Sequence, residues 1–431
     1  MYKSKPVLIL KTFTNKELKR FGEYIASPFF NKNQMVVSLY NLLKKHHPNY
    51  IGLGLQRKKI YKKLFKSTQF EEQKLRYLMS DLTKLIEGFL VHEYNIGNQN
   101  QYAQSLLHIY TNRKLEKYFQ TTLNNYQNQL NNHSIKNIEH YLKAYLVREA
   151  KFIFNSTISN RYDGQEIKNI LHQLDIFYIA NKLKYSSELY NGQNIFSLDF
   201  EKPLLLDEII EKLGTSKIHE EPVIAIYRQI LLTLVEKETE QHYNQLLLLL
   251  EQHAQRFEYT ELQEMYIFAR NYCHHRYNIL GDRQYLQKSF ELCEILLANN
   301  ILFHDEQISQ WDFKNIVSIG LNFEKSKFVE KFIQDYKKYL KPSVRENAYT
   351  YNLACLRFYQ KDYDNAIRLL HTVEFTDLYY HIDTKILLMR CYYELEEVIP
   401  FLEDGLGILN IWIQSNKTLF LFEDFNFFNQ F

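Results

Sequence analysis

The chain has 431 residues, of which 45% are hydrophobic and 24% are charged, so it can bury a sizeable core. It contains only 12 glycines and 7 prolines. This scarcity excludes a turn-rich β fold of this length, since tight turns favour glycine. The composition therefore predicts an all-α protein of long helices joined by short polar loops.

Charge is distributed unevenly along the chain, although the net charge is only +3. Residues 1–100 contain 18 lysines and arginines against 7 acidic residues, a balance of +11, and the remaining residues have a balance of −8. Such a division indicates two surfaces with different partners. We therefore treat the first hundred residues as a separate basic module.

The apolar segments of the sequence are short. The longest run, Leu246–Leu250, is far from the roughly 20 residues that cross a bilayer. The run Val7–Leu10 is too short for the apolar region of a signal peptide. Four widely spaced cysteines lie in apolar helical patterns, which favours buried thiols. These features predict a cytoplasmic protein without a membrane span.

The basic module is predicted to be a bundle of four helices. Thr14 and Glu17 have the spacing of a capping box at the start of the first helix. Asn33 is placed to cap the second helix. The third helix is expected over about residues 56–65, and the fourth from about Phe70, where leucines recur at helical spacing.

Four segments follow from the pattern of loops and helices. We assign residues 1–97 to the basic four-helix module and 98–215 to helical hairpins without a clear repeat motif. In the second segment, glycines such as Gly192 are expected to mark loops. We assign 216–400 to an α-solenoid of tetratricopeptide-like helical hairpins, and 401–431 to an atypical tail rich in aromatic residues.

The strongest repeat signal begins at Tyr351. From there the sequence resembles a tetratricopeptide repeat, whose small residues let two antiparallel helices approach each other. The period is also that of this repeat, since two pairs of apolar residues recur 34 positions apart, Leu353 with Leu387 and Phe358 with Tyr392. The residues that define the packing of the repeat are Leu353, Ala354, Tyr363, Ala366, Leu387 and Tyr392.

Two features depart from the repeat pattern. Lys361 stands where the turn between the two helices usually has glycine. The tail 401–431 contains eight aromatic residues and a single lysine, whereas helical arrays normally end in a helix with a polar face. The tail could fold back on the array or be a diverged terminal sequence, it could dock a partner, or it could result from a disturbed reading frame.

Motifs that carry chemistry are absent from the sequence. It has no glycine-rich phosphate loop, no His-Glu-x-x-His and no Gly-x-Ser-x-Gly, so we expect neither an enzyme nor a cofactor. Cys273-His274-His275 has metal-type side chains, but adjacent helical residues point about 100° apart and do not converge on one ion. We therefore expect these three residues to be structural.

One cluster of basic residues could contact a polyanion. On a helix, most of its lysines form one stripe opposite Ile60 and Leu64, and a solvated surface is the alternative interpretation. The cluster comprises Arg57, Lys58, Lys59, Lys62, Lys63 and Lys66.

Several stretches together resemble a family of uncharacterised bacterial tetratricopeptide-like helical repeat proteins. The first is Glu17–Phe21 followed by Ser27–Asn33, and the second is Gln73–Leu82. The third runs from Arg345–Tyr349 through Asp362–Asp364 and Val373–Phe375 to Cys391–Leu395. The resemblance covers about residues 10–395 and implies an all-helical fold, but it implies no activity, cofactor or catalytic residue.

Two functions remain open at this point. The first is a non-enzymatic scaffold whose solenoid binds a protein or peptide and whose basic module docks a second partner. The alternative is a regulator associated with nucleic acid, in which residues 1–100 contact DNA or RNA and the solenoid senses a partner.

Overall fold

The computed structural model describes residues 3–65, 69–159, 163–196, 200–304, 306–373 and 378–405. The described chain is helical throughout, as the composition predicts. In chain order its first helices are α1 Lys5–Leu10, α2 Asn15–Ala26, α3 Gln34–Lys44, α4 Arg57–Phe65, α5 Glu72–Gly97, α6 Gln99–Asn112, α7 Glu116–Asn132, α8 Ile138–Ser159, α9 Gly164–Phe196 and α10 Leu206–Leu213.

Further helices follow, interrupted by two short strands that pair antiparallel, β1 Phe303–His304 and β2 Gln307–Ile308. None of the described helices combines the length and the apolar character needed to cross a membrane. The later helices are α11 Pro222–Val235, α12 Glu240–His253, α13 Tyr259–Leu280, α14 Arg283–Ala298, α15 Gln310–Asn322, α16 Ser326–Tyr336, α17 Arg345–Tyr359, α18 Tyr363–Leu370 and α19 Leu378–Glu394.

The chain divides into two compact units. Unit 1 comprises Met1–Asn128 and Ile153–Arg161, and unit 2 comprises Gln129–Phe152 and Tyr162–Phe431. One buried cluster of unit 1 draws all its residues from between Val7 and Phe89. This division into two compact units does not test the boundaries of the four segments assigned from the sequence, which stay predictions.

The start of α2 confirms the predicted capping box. Thr14 Oγ1 accepts a hydrogen bond from Glu17 N at 3.2 Å, and Glu17 Oε2 accepts one from Thr14 N at 2.7 Å. The hydrogen bond from the Thr14 backbone lowers the pKa of Glu17. Two otherwise unpaired N–H groups of the helix end are satisfied in this way, and Asn33 caps α3 as predicted.

Two local expectations were wrong. A short helix, α1, precedes the four expected in the basic module, and its Pro6 occupies a first-turn position where proline is pre-organised. Gly192 lies inside α9, a continuous helix of 33 residues, and does not mark a loop. A glycine within a helix costs only about 1 kcal/mol, which packing of the remaining residues outweighs.

Successive helices of unit 2 form hairpins. Upstream of Tyr351, α13 packs against α14 and α15 packs against α16. The ends of α15, α17 and α19 share one geometry, which also occurs at Lys114 and Asn300: Glu324, Lys361 and Glu396 have positive φ angles of 56°, 61° and 59° and are spaced 37 and 35 residues apart. In each turn, the following N–H donates to a carbonyl five residues back, at 2.9–3.0 Å. This is the Schellman arrangement that ends a helix.

The turn at Lys361 gives a direct test of this geometry. Replacing Lys361 with glycine should raise the free energy of unfolding by about 1 kcal/mol, because glycine adopts a positive φ without the steric cost of a Cβ atom. The control is Lys361→Ala, which removes the same side chain but keeps the Cβ atom and should change little. Urea denaturation measures both, and equal gains in the two variants would contradict the assignment.

Candidate functional site

The predicted basic cluster lies on α4 in unit 1. Arg57 forms an exposed ion pair with Glu72 at the start of α5. Lys58, Lys59, Lys62 and Lys63 are exposed and form no ion pair among the residues that the structure describes. Lys66 lies outside the described residues. Four lysines of the cluster are therefore open to solvent.

The Cys273-His274-His275 segment lies in α13 and packs into unit 2. His274 Nε2 lies 3.0 Å from Ser289 Oγ, and Cys273 is buried. Within the described ranges, no group of histidine, cysteine or acidic side chains is arranged to hold a metal ion. Burial, with a contribution from Arg270, lowers the pKa of His274 to about 4.

His274 should make unit 2 sensitive to acid. Its pKa is lower in the folded state than the usual value near 6.5, so the unfolded chain takes up a proton first as the pH falls from 6.5 towards 4. The free energy of unfolding should fall in both proteins between pH 7 and pH 4.5. The fall should be about 2–3 kcal/mol smaller in His274→Gln than in the unsubstituted chain. Urea titrations at both pH values test this, and parallel losses in the two proteins would contradict it.

The residues predicted to define the repeat are mostly buried. Ala354 on α17 and Ala366 on α18 are both fully buried, and their small side chains let the two helices approach closely. Leu387 and Tyr392 on α19 are buried, while Leu353 and Tyr363 pack against the same core from partly exposed positions. The Tyr363 hydroxyl also donates to Glu394 at 3.2 Å.

A cleft of about 180 Å³ lies among α15, α17 and α19 in unit 2. We call it the α15–α17–α19 cleft. Three positions of each helix line it, at 10, 9 and 6 residues before the positive-φ residue that ends the helix. The matching sets are Lys314, Tyr351 and Ile386; Asn315, Asn352 and Leu387; and Ser318, Cys355 and Arg390.

The charged groups of the cleft are held by neighbouring side chains. Lys314 pairs with Asp383, and its Nζ atom lies 5.8 Å from the centroid of the Tyr351 ring. The Arg390 guanidinium lies 4.7 Å from the centroid of the Phe358 ring. With two cations and one carboxylate, the cleft carries a positive balance and aromatic walls.

Asn352 lies at the centre of the cleft lining and is fully buried. Its Nδ2 atom donates to the Ala348 carbonyl at 2.7 Å. Its Oδ1 atom has no hydrogen-bond partner in the part of the chain that the structure describes. A buried acceptor without a partner costs about 1–3 kcal/mol, so this side chain weakens the fold. An N–H group that reached Oδ1 would remove that cost.

Cys355 contributes a neutral thiol to the cleft. Burial raises its pKa to about 12, so the reactive thiolate is not populated near neutral pH. Burial also raises the pKa of Tyr351 far above its usual range. The lining therefore offers hydrogen-bonding and apolar groups, and it offers no activated nucleophile.

Sequence reasoning missed the cleft. It used Leu353 and Ala354 to identify the repeat but did not consider their neighbour Asn352. An asparagine within an apolar helical stretch was the signal that could have found it, because buried amides need partners. Lys314 and Arg390 could not be grouped with Asn352 from the sequence. The three residues line one cleft because of where α15, α17 and α19 end, and the sequence alone does not show those ends.

A substitution at Asn352 tests whether its amide is costly to the fold. Leucine has the same branching, so Asn352→Leu should raise the free energy of unfolding by about 1 kcal/mol by removing the unpaired acceptor. The control is Asn315→Leu, the equivalent position on α15, which is partly exposed and should change little. Chemical denaturation measures both, and a marked loss of stability in Asn352→Leu would contradict the assignment.

Comparison with known proteins does not identify a family for this chain. No family model matches the sequence, and no curated protein matches it. The resemblance to tetratricopeptide-like proteins therefore rests on the sequence stretches named above, and the function must be argued from the residues of the chain itself.

Proposed function

We propose that the protein is a non-enzymatic scaffold that binds an extended peptide segment of a partner in the α15–α17–α19 cleft. The observation that carries the proposal is the buried, unpaired Oδ1 atom of Asn352 in the cleft lining. Asn352 has no exposed surface, so in this proposal the lining side chains move apart when the peptide binds. Every residue of an extended peptide except proline presents a backbone N–H, which then supplies the missing donor whatever the sequence.

The recurrence of lining positions also supports a scaffold. Three equivalent positions on three alternate helices, α15, α17 and α19, line one cleft, which is what a tetratricopeptide-like array produces on its inner surface. The three turns are spaced close to the 34-residue period of that repeat. In this proposal the hairpins repeat one set of binding positions, so a peptide contacts equivalent positions of the three helices although the side chains there differ.

The side chains of the cleft favour acidic peptides with apolar residues. Lys314 and Arg390 give the positive balance, and Tyr351 and Tyr359 supply large surfaces that bury apolar groups at low entropic cost. A cytoplasmic location stays a prediction, with which the four free cysteines are consistent. No cofactor has a role in this proposal.

The test is a selection of random 12-residue peptides on the full chain. Selected peptides should bind with dissociation constants on the order of 10 µM. Ser318→Trp, which fills the cleft from an exposed position, and Asn352→Leu should each weaken binding by about tenfold or more. The control Lys327→Trp, on the exposed face of α16, should bind as the unsubstituted chain does.

Two results would overturn the proposed function. One is a selection that enriches no binding peptide. The other is a set of peptides whose affinity is the same for the unsubstituted chain, Ser318→Trp and Asn352→Leu, since those peptides would bind elsewhere.

A second candidate function rests on the four exposed lysines of α4. We infer that Lys58, Lys59, Lys62 and Lys63 could together contact the phosphates of DNA or RNA. Replacing all four with glutamine should reduce the slope of log K against log salt by about 3–4 for the full chain on duplex DNA. The control replaces Lys16, Lys19, Lys32 and Lys45, which are also exposed in unit 1. Equal effects of the two sets would indicate nonspecific attraction and reject this candidate.

A further inference from the structure

Unit 1 contains a second cleft, of about 490 Å³, between the start of α1, the start of α4 and the first half of α5. We call it the unit 1 cleft. Its apolar lining consists of Pro6, Leu75 and Met79, all of which pack against or within the core of this unit. Because the core fixes these three groups, the apolar lining is already formed before any ligand binds.

Basic side chains surround this apolar lining. Lys5 pairs with Glu87 at 2.6 Å, and Arg57 pairs with Glu72. Arg76 also lines the cleft, is exposed and forms no ion pair among the described residues of the chain. Lys5 and Arg57 are each matched by a carboxylate, so the positive charge that remains available at the lining is that of Arg76.

The shape of the cleft follows α5. The α5 residues that line it are Leu75, Arg76, Met79, Ser80 and Thr83, which lie on neighbouring turns. They span about 12 Å along the helix axis, close to two turns of an α-helix. An amphipathic helix places its apolar anchors at i, i+4 and i+7, over a comparable length.

We propose that the unit 1 cleft docks an acidic amphipathic helix of a partner protein. The apolar side chains of that helix pack on Met79, the partly exposed apolar residue of the lining, and its carboxylates approach Arg76 and Arg57. A phosphate backbone has no apolar group to cover Met79, whereas an apolar helix face does, so the observations favour a protein over a nucleic acid. This surface is independent of the α15–α17–α19 cleft.

The experiment uses the full chain and a fluorescein-labelled helical peptide of 16 residues, with leucine at i, i+3, i+4 and i+7 and glutamate on the other face. One companion peptide replaces leucine with serine, and a second replaces glutamate with lysine. Fluorescence anisotropy should give a dissociation constant on the order of 10 µM for the first peptide. Both companions should bind at least about tenfold more weakly.

Four variants locate the binding. Arg76→Glu and Ser80→Trp, both at exposed positions of the unit 1 cleft, should each weaken binding by about tenfold or more. Lys84→Glu and Lys84→Trp make matched changes at an exposed position of the same helix outside the cleft, and should have no effect. Asn352→Leu should also retain binding, which separates this proposal from the proposed function.

Three outcomes would overturn the inference. The first is equal binding of the serine companion, which would make the apolar lining irrelevant. The second is binding of a thymidine 20-mer that is lost with Arg76→Glu while the leucine peptide does not bind, which would assign the surface to nucleic acid. The third is an affinity that the Arg76 and Ser80 variants leave unchanged.

Discussion

Close packing of each helix against the next at small side chains is the constraint on which unit 2 depends. At Gly320 on α15, an added Cβ atom would lie 2.7 Å from Val329 Cγ2 on α16, so this contact requires glycine unless the neighbour moves. Ala354 and Ala366 have the same role between α17 and α18. Because the two helices of a hairpin approach so closely, the turn between them must be tight. A residue with a positive φ angle forms that turn.

The alignment of the cleft follows from these turns. Because three helices end in the same left-handed conformation, positions counted back from each end face the same way. At Asn352, the side chain that would give the most stable fold differs from the one that the proposed peptide binding requires. The buried face of α17 favours an apolar side chain, and the asparagine found there leaves a buried acceptor without a partner, to which the proposed function gives the role of binding the peptide.

Local rules predicted much of the fold. The capping box at Thr14 and the cap at Asn33 depend on neighbouring residues, and the sequence contains that information. Helix α1 and the uninterrupted α9 depend on packing that outweighs weak local preferences. The cleft depends on residues up to 76 positions apart, from Lys314 to Arg390, which no local pattern could group. The pairing of Arg57 with Glu72 is likewise a tertiary contact.

The central claim is that one peptide contacts equivalent positions of α15, α17 and α19. Amide hydrogen exchange of the full chain, with and without a selected 12-residue peptide, tests it most directly. The account predicts slower exchange in Gln310–Asn322, Arg345–Tyr359 and Leu378–Glu394 together when the peptide is bound. Slower exchange confined to other helices, or to one of these three alone, would contradict it.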